Sequence, residues 1–185
     1  MDVRISNLFI ELRKYLSRID KKLEILDLGV GDGAKTLLLA KSNAYLTCID
    51  ISKEKIKKLK ENAGRKNIKV KTLVRDIRKL KFTKSYDVII LSCILHYFDR
   101  EIALKIIRNV QKYTKPKGFN FVIGFTELDP GNRKGKFFLE KGELRKIYDR
   151  WKILKYIEFS KLDKPHEGYN KYHTHSLATI IAKKP

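Results

Sequence analysis

Leu23-Glu24-Ile25-Leu26-Asp27-Leu28-Gly29-Val30-Gly31-Asp32-Gly33 is the stretch on which the fold turns. Its first half is an apolar run of strand length, and its second half places glycine at three alternate positions. A helix pattern with Leu37, Leu38, Leu39 and Ala40 follows. Glycines between a strand and a helix permit a tight turn and let backbone come close to a ligand. The free N–H groups at the start of the next helix suit an anionic or polar group. By itself such a turn is also compatible with a purely structural role.

The pattern continues outward in alternation. Upstream, Val3, Ile5, Leu8, Phe9, Leu12, Tyr15, Leu16 and Ile19 recur at helical spacing, so residues 1–20 read as an amphipathic helix. Downstream, Tyr45 to Asp50 is a strand, and Ser52 can cap a helix whose narrow apolar stripe is Ile56, Leu59 and Ala63, stopped by Gly64. Ile68 to Val74 is a third strand, and Tyr86 to Leu91 is continuous enough to be a central strand covered on both faces. Asp99 caps a helix with Ala103, Leu104, Ile107 and Val110; Phe119 to Phe125 is a fifth strand. The spacing then predicts a helix over 140–151 and two final strands, Ile153 to Phe159 and Leu177 to Ala182. A His/Tyr-rich segment, Lys161 to His175, separates them. Strands alternating with helices of about ten residues imply a parallel sheet. The expected fold is α/β: a doubly wound, Rossmann-like seven-stranded sheet, mostly parallel with an antiparallel last strand, with helices on both faces. Neither a repeat nor a linker composition interrupts residues 1–185, so one domain is expected.

Two acids join the glycine turn at the strand ends where open α/β sheets bind ligands. Asp50 ends the second strand and suits the two hydroxyls of a ribose. Asp76 follows the third strand, within reach of an adenine amino group.

These motifs resemble class I S-adenosylmethionine-dependent methyltransferases, whose first motif is an acid followed by three alternate glycines, as in Asp27, Gly29, Gly31 and Gly33. The resemblance implies S-adenosylmethionine as cofactor, held by Asp27, the three glycines, Asp50 with Ile51, Asp76 with Ile77, and Ser92 at the end of the fourth strand. It also implies that the 1–20 helix packs on the cofactor side. A carboxylate such as Asp27 offsets the cofactor's cationic groups. The C-terminal third is similar to the tellurite-resistance methyltransferase family, in Gly142-Glu143-Leu144-Arg145, the following Trp151, and the ending Ala182-Lys183-Lys184. That likeness implies a small acceptor, tellurite, selenite or a thiol.

His166, His173 and His175 put three of the four histidines within ten residues. They are the candidate catalytic residues, since the segment precedes the last strand and can fold over the cofactor edge. A surface role competes with this; a metal site is not expected, because no Cys and no clearly placed acid join them. Tyr169 and Tyr172 line the same segment. His96, after the fourth strand, is balanced between substrate contact and packing. Arg133 reads as a solvated loop residue, and Cys93 as a small buried residue rather than a nucleophile.

The 185 residues carry 42 Lys+Arg against 21 Asp+Glu, a net charge of +21. About half of that excess lies between Lys53 and Lys84, where 14 basic residues face 3 acidic ones. RNA is therefore the competing acceptor. Against it, the chain lacks an Asn/Asp-Pro-Pro-aromatic motif after the fourth strand, and the basic stretch falls on the adenosine side. A third reading is a non-catalytic cofactor-binding subunit. The longest apolar run, Val88 to Phe98, is about half a membrane span. With Cys48 and Cys93 in apolar segments and no charged n-region or apolar h-region at Met1, the expected location is cytoplasmic, without a membrane partner. Oligomeric state is not legible.

Overall fold

In a computed structural model the chain is described over residues 3–42, 44–165 and 170–185. The elements are α1 (Val3–Leu16), β1 (Leu23–Leu28), a 3-10 helix (Thr36–Ser42), β2 (Ala44–Asp50), α2 (Lys53–Gly64), β3 (Val70–Val74), β4 (Tyr86–Ser92), α3 (Arg100–Lys112), β5 (Thr114–Phe125), α4 (Glu143–Ile147), β6 (Lys152–Asp163) and β7 (His173–Lys183). The seven strands form one sheet in the order β3-β2-β1-β4-β5-β7-β6. β1 to β5 are mutually parallel, and β7 runs antiparallel to both of its neighbours. The strand order reverses between β1 and β4, where doubly wound sheets open a crevice at the carboxyl ends of the strands.

The helices cover both faces, as continuous apolar strands require. On one face Phe9, Leu12 and Leu16 of α1, Leu37 and Leu39, and Ile56, Leu59 and Ala63 of α2 pack on Ile25, Leu46, Val88, Ile90 and Phe121. On the other, Ala103, Ile107 and Val110 of α3 and Leu144 of α4 pack on Leu26, Leu28, Ile89, Leu91 and Val122. The caps are those that the sequence signals: Ser52 Oγ accepts from Lys55 N, and Asp99 Oδ1 accepts from Ile102 N.

Three elements depart from expectation. The segment after the glycine turn is a 3-10 helix instead of an α-helix. Gly31 and Gly33 at positive φ consume the entry, and Leu37 and Leu39 still reach the core on either side of half-buried Leu38. The helix expected over 140–151 is a single turn, Glu143–Ile147, entered from Gly142 at φ 74°. The last two strands are longer than their apolar cores, so the hairpin carries Lys161 and Asp163 on one arm and His173 and His175 on the other. His166 and Tyr169 lie outside the described residues.

One polar chain crosses the second core face. Tyr148, fully buried, donates to Asn120 Oδ1 at 3.1 Å; Asn120 Nδ2 donates to Thr114 Oγ1 at 2.6 Å; Thr114 Oγ1 donates to the Val110 carbonyl at 2.7 Å. Burial pushes the Tyr148 phenol above its ordinary pKa, so it remains a donor. Tyr148→Phe leaves the Asn120 carbonyl without that donor and is expected to cost about 1–2 kcal/mol, read as a lower urea midpoint at unchanged m-value.

Candidate active site

β1, β2 and β4 deliver their C-terminal residues to one edge of the sheet. A cavity of about 210 Å³ there is lined by Phe9, Asp27, Gly29, Val30, Gly31, Asp32, Ala34, Lys35, Thr36, Ser92 and Cys93. Gly33 is required by packing: at φ 70°, a Cβ would stand 2.0 Å from Leu59 Cδ1. Gly31 is different. Its φ is 60°, but a Cβ would meet nothing within 4 Å, so its open side is the space a ligand can approach.

Asp50, 7% exposed, ties this turn to the next strand. Its Oδ2 accepts from Gly31 N and its Oδ1 from Ser52 N, both at 2.9 Å. Asp27 is 2% exposed. Thr36 Oγ1 donates to its Oδ2, while Oδ1 has no hydrogen-bond partner among the described residues. Burial pushes the Asp27 carboxyl up to about 7; the Thr36 hydrogen bond opposes this, Asp50 adds to it and Lys35 opposes it. Asp76 caps the turn Ile77–Lys79 and is gripped by Arg78, whose Nη2 is 2.5 Å from Oδ2. This lowers the Asp76 pKa, the Arg78 hydrogen bond being the largest cause. Ile51 is 65% exposed at the end of β2.

Because β7 is antiparallel, its first residues reach the edge where β4 and β5 end: Thr126 N donates to the Ser176 carbonyl at 2.9 Å. His175, 6% exposed, has Nδ1 2.8 Å from Asp129 Oδ2. Its Nε2 lies 2.9 Å from His173 Nε2, and His173 Nδ1 lies 3.0 Å from the Lys171 carbonyl. The His175 ring is 4.9 Å from Phe125, which is 4.6 Å from the ring of His96. His96 also packs against Tyr97 and Phe138. Burial pulls its pKa down to about 4, opposed by Asp129 and reinforced by His175, so it is neutral at physiological pH. Its buried Nδ1 has no partner among the described residues. Ile94, two residues before His96, would meet a Cβ on Gly29 at 2.6 Å, which places the His96 turn directly against the glycine turn. Cys93, just before Ile94 and on the cavity wall, adopts φ 53°, a sparsely populated conformation for a non-glycine residue.

The edge thus gathers Asp27, Gly29, Gly31, Ser92 and, through its bond to Gly31, Asp50, while His173 and His175 pair on the β5–β7 side. Asp129 carries no sequence signal for this contact: it reads as part of an Asp-Pro-Gly loop and meets His175 46 residues later. No group of three or more His, Cys, Asp or Glu suited to a metal ion occurs among the described residues.

The family model of the tellurite resistance protein TehB matches residues 11–180. This chain belongs to the TehB family. The probable S-adenosyl-L-methionine-dependent methyltransferase TehB of Haemophilus influenzae (strain ATCC 51907 / DSM 11121 / KW20 / Rd) is 28% identical over 171 residues, 91% of this chain and 59% of that protein. A ubiquinone biosynthesis O-methyltransferase of Rickettsia akari is 28% identical over 120 residues, 65% of this chain and 47% of the relative. The chain therefore spans about half to three fifths of the length of these curated relatives. The crystal structure of TehB from H. influenzae superposes with a TM-score of 0.80 at 24% identity, over 95% of this chain and 62% of that one. The N-methyltransferase NodS from Bradyrhizobium japonicum, in complex with S-adenosyl-L-homocysteine, superposes with a TM-score of 0.71 at 17% identity, over 95% and 85% of the two chains. These superpositions share the TehB fold seen here. No helix among the described residues is long and apolar enough to cross a membrane.

Proposed function

We propose that the chain is an S-adenosylmethionine-dependent methyltransferase acting on a small acceptor, with tellurite, selenite and low-molecular-weight thiols as candidates. The observation that carries this reading is the buried Asp27 carboxyl, one oxygen of which lacks a hydrogen-bond partner beside the open face of Gly31. A buried carboxylate left half-satisfied is costly. A cationic ammonium at the cavity would supply the missing donor, so the residues present fit this cofactor.

Asp27 would hold the amino-acid end, Asp50 the ribose hydroxyls, Ile51 and Ile77 the adenine faces, and Asp76 its edge beside Arg78. Gly29, Gly31 and Gly33 keep the backbone close, Ser92 walls the cavity from β4, and α1 closes the cofactor side through Phe9. When bound, the cofactor supplies a methyl already activated on a sulfonium, so the protein's task is to place the acceptor. His173 and His175, paired on the β5–β7 side, would meet the acceptor. The neutral His96 with Tyr97, Phe125 and Phe138 forms an aromatic wall, which suits a soft, weakly hydrated nucleophile.

Transfer of labelled methyl from S-adenosylmethionine to tellurite, selenite, 2-mercaptoethanol and total RNA, offered side by side, tests the reading. Label on a small acceptor is expected. Label on RNA alone would replace the acceptor by RNA, drawn to the lysines of α2. Binding of S-adenosylhomocysteine without turnover in any arm would leave a non-catalytic cofactor-binding subunit.

A further inference from the structure

Most of the basic field has no part in the cofactor site. Between Lys53 and Lys84 lie 14 Lys and Arg side chains, and every one of them is exposed. Two of these meet a carboxylate among the described residues: Arg78 pairs with Asp76, and Lys84 with Glu24. The others have no carboxylate partner there. On α2, Lys53 and Lys57 are four residues apart, and Lys55 and Lys58 three, where like charges destabilise a helix. Glu54 and Glu61 stand four residues before Lys58 and Arg65, yet neither pair closes. A lysine surface that served stability alone would pair its charges into networks. This one leaves them open to a counter-charge from outside the chain.

The field also has a shape. α2 packs through Ile56, Leu59 and Ala63 on one face of the sheet, and the segment after β3 packs through Ile77, Leu80 and Phe82 on the other. β3 is the edge strand between them, with exposed Lys69 just before it and exposed Lys71 within it. Lys57 and Lys60, then Lys71, then Lys79 and Lys81 therefore follow a strip that leaves one face, rounds the edge and reaches the other. Three strand spacings of about 4.8 Å put this edge about 14 Å from β4, whose last residue, Ser92, walls the cavity.

We infer that this strip is a docking surface for single-stranded RNA, held by its phosphates, and that the RNA bound there is not the methyl acceptor. Each phosphate met by a Lys or Arg releases a condensed counterion, which drives binding without reading sequence. A flexible single strand can follow the strip round the β3 edge. Duplex DNA cannot, because its persistence length of about 50 nm far exceeds the edge it would have to round. A membrane is flat on this scale and meets one face of the sheet at a time. A folded protein partner needs an apolar centre, and the strip exposes one large hydrophobic side chain, Val74. A second copy of this chain would bring a net charge of +21 against +21. Docking of this kind does not depend on what the cavity binds.

The test is fluorescence anisotropy of a labelled oligouridylate with the full chain across a range of salt. Near physiological salt Kd should lie between about 1 and about 100 μM, and with about six phosphates engaged log Kd should rise against log salt with a slope of about 4. Lys57→Gln with Lys60→Gln on α2, and Lys71→Gln with Lys81→Gln across the edge, should each lower that slope by about 1.4 and weaken binding about tenfold at low salt. Lys141→Gln, Lys146→Gln, Arg150→Gln and Lys152→Gln together remove exposed bases around α4 and the start of β6, at the opposite edge of the sheet. They should change Kd by less than about threefold, since they lie off the strip. Thermal melts unchanged from wild type guard against a folding defect, because all these side chains are exposed. No binding, a loss from the α2 pair alone, or an equal loss from the opposite-edge set would overturn the inference. So would binding as tight to duplex DNA, to phosphatidylserine vesicles or to poly-glutamate. Methyl label that enters total RNA with wild type, and is lost with the four strip substitutions, would overturn the separation of this surface from the acceptor site.

Discussion

Asp50→Ala is expected to weaken S-adenosylmethionine binding by at least about 100-fold. The Asp50 carboxylate is fixed from two sides, by the N–H groups of Gly31 and Ser52, at the end of β2. Ribose hydroxyls donating to it would make charge-assisted hydrogen bonds, each worth about 1.5–3 kcal/mol. Two such bonds correspond to two or more decades in Kd. The substitution also leaves the Gly31 and Ser52 N–H groups without their acceptor, at about 1–3 kcal/mol of stability. Asp50→Asn separates the two effects, since its amide oxygen retains one backbone contact while the negative charge is lost. Calorimetric titration with cofactor, alongside thermal melts of each variant, checks this. A change in Kd below about tenfold in a folded Asp50→Ala protein would sink the ribose assignment.

The glycine turn and its acids were legible because each is local: a strand, a turn and a cap lie within a few residues of one another. Ser52 and Asp99 cap where their spacing says, and α2 buries only Ile56, Leu59 and Ala63, the narrow stripe its sequence shows. The basic charge follows from that same helix. Lys53, Lys55, Lys57, Lys58 and Lys60 all face solvent, so the run is an exposed helix face rather than a groove. The 3-10 segment was not legible, since three consecutive leucines satisfy either helix, and the glycines before them decide how the chain enters. The His segment was half legible. His-x-His on a strand places both rings on one face, but the strand's length is set by pairing with β6, whose outer residues are polar apart from exposed Leu162. Asp129 left no local signal, because its role exists only once β7 lies antiparallel beside β5. His96 gains its character the same way, from Phe125 and Phe138 on other elements.

Cofactor affinity is expected to fall about tenfold for each pH unit below about 7. Desolvation is the largest cause that lifts the Asp27 carboxyl to about 7 from an ordinary value of 3.8. An α-amino group is cationic below about pH 7.7, so the ligand keeps its charge throughout that range and the change lies in the protein. Below pH 7 Asp27 is mostly protonated, and binding an ammonium requires it to give up that proton. Between pH 7 and pH 5 the apparent Kd should therefore rise about 50-fold, since the carboxyl is already half protonated at pH 7. Titration in buffers of different ionisation enthalpy should show protons released on binding, approaching one per site toward pH 5. Stability of the free protein runs the other way. A carboxyl whose folded pKa is raised favours the fold while it is neutral, at low pH, and that contribution is lost as pH rises from 3.8 through about 7. Free wild type should thus lose melting temperature relative to Asp27→Asn between pH 5 and pH 8, and saturating cofactor should restore it. Asp27→Asn should bind cofactor weakly with little pH dependence across the same range. If wild type and Asp27→Asn show parallel affinity curves, the proton is held elsewhere and Asp27 is not the group that meets the ammonium.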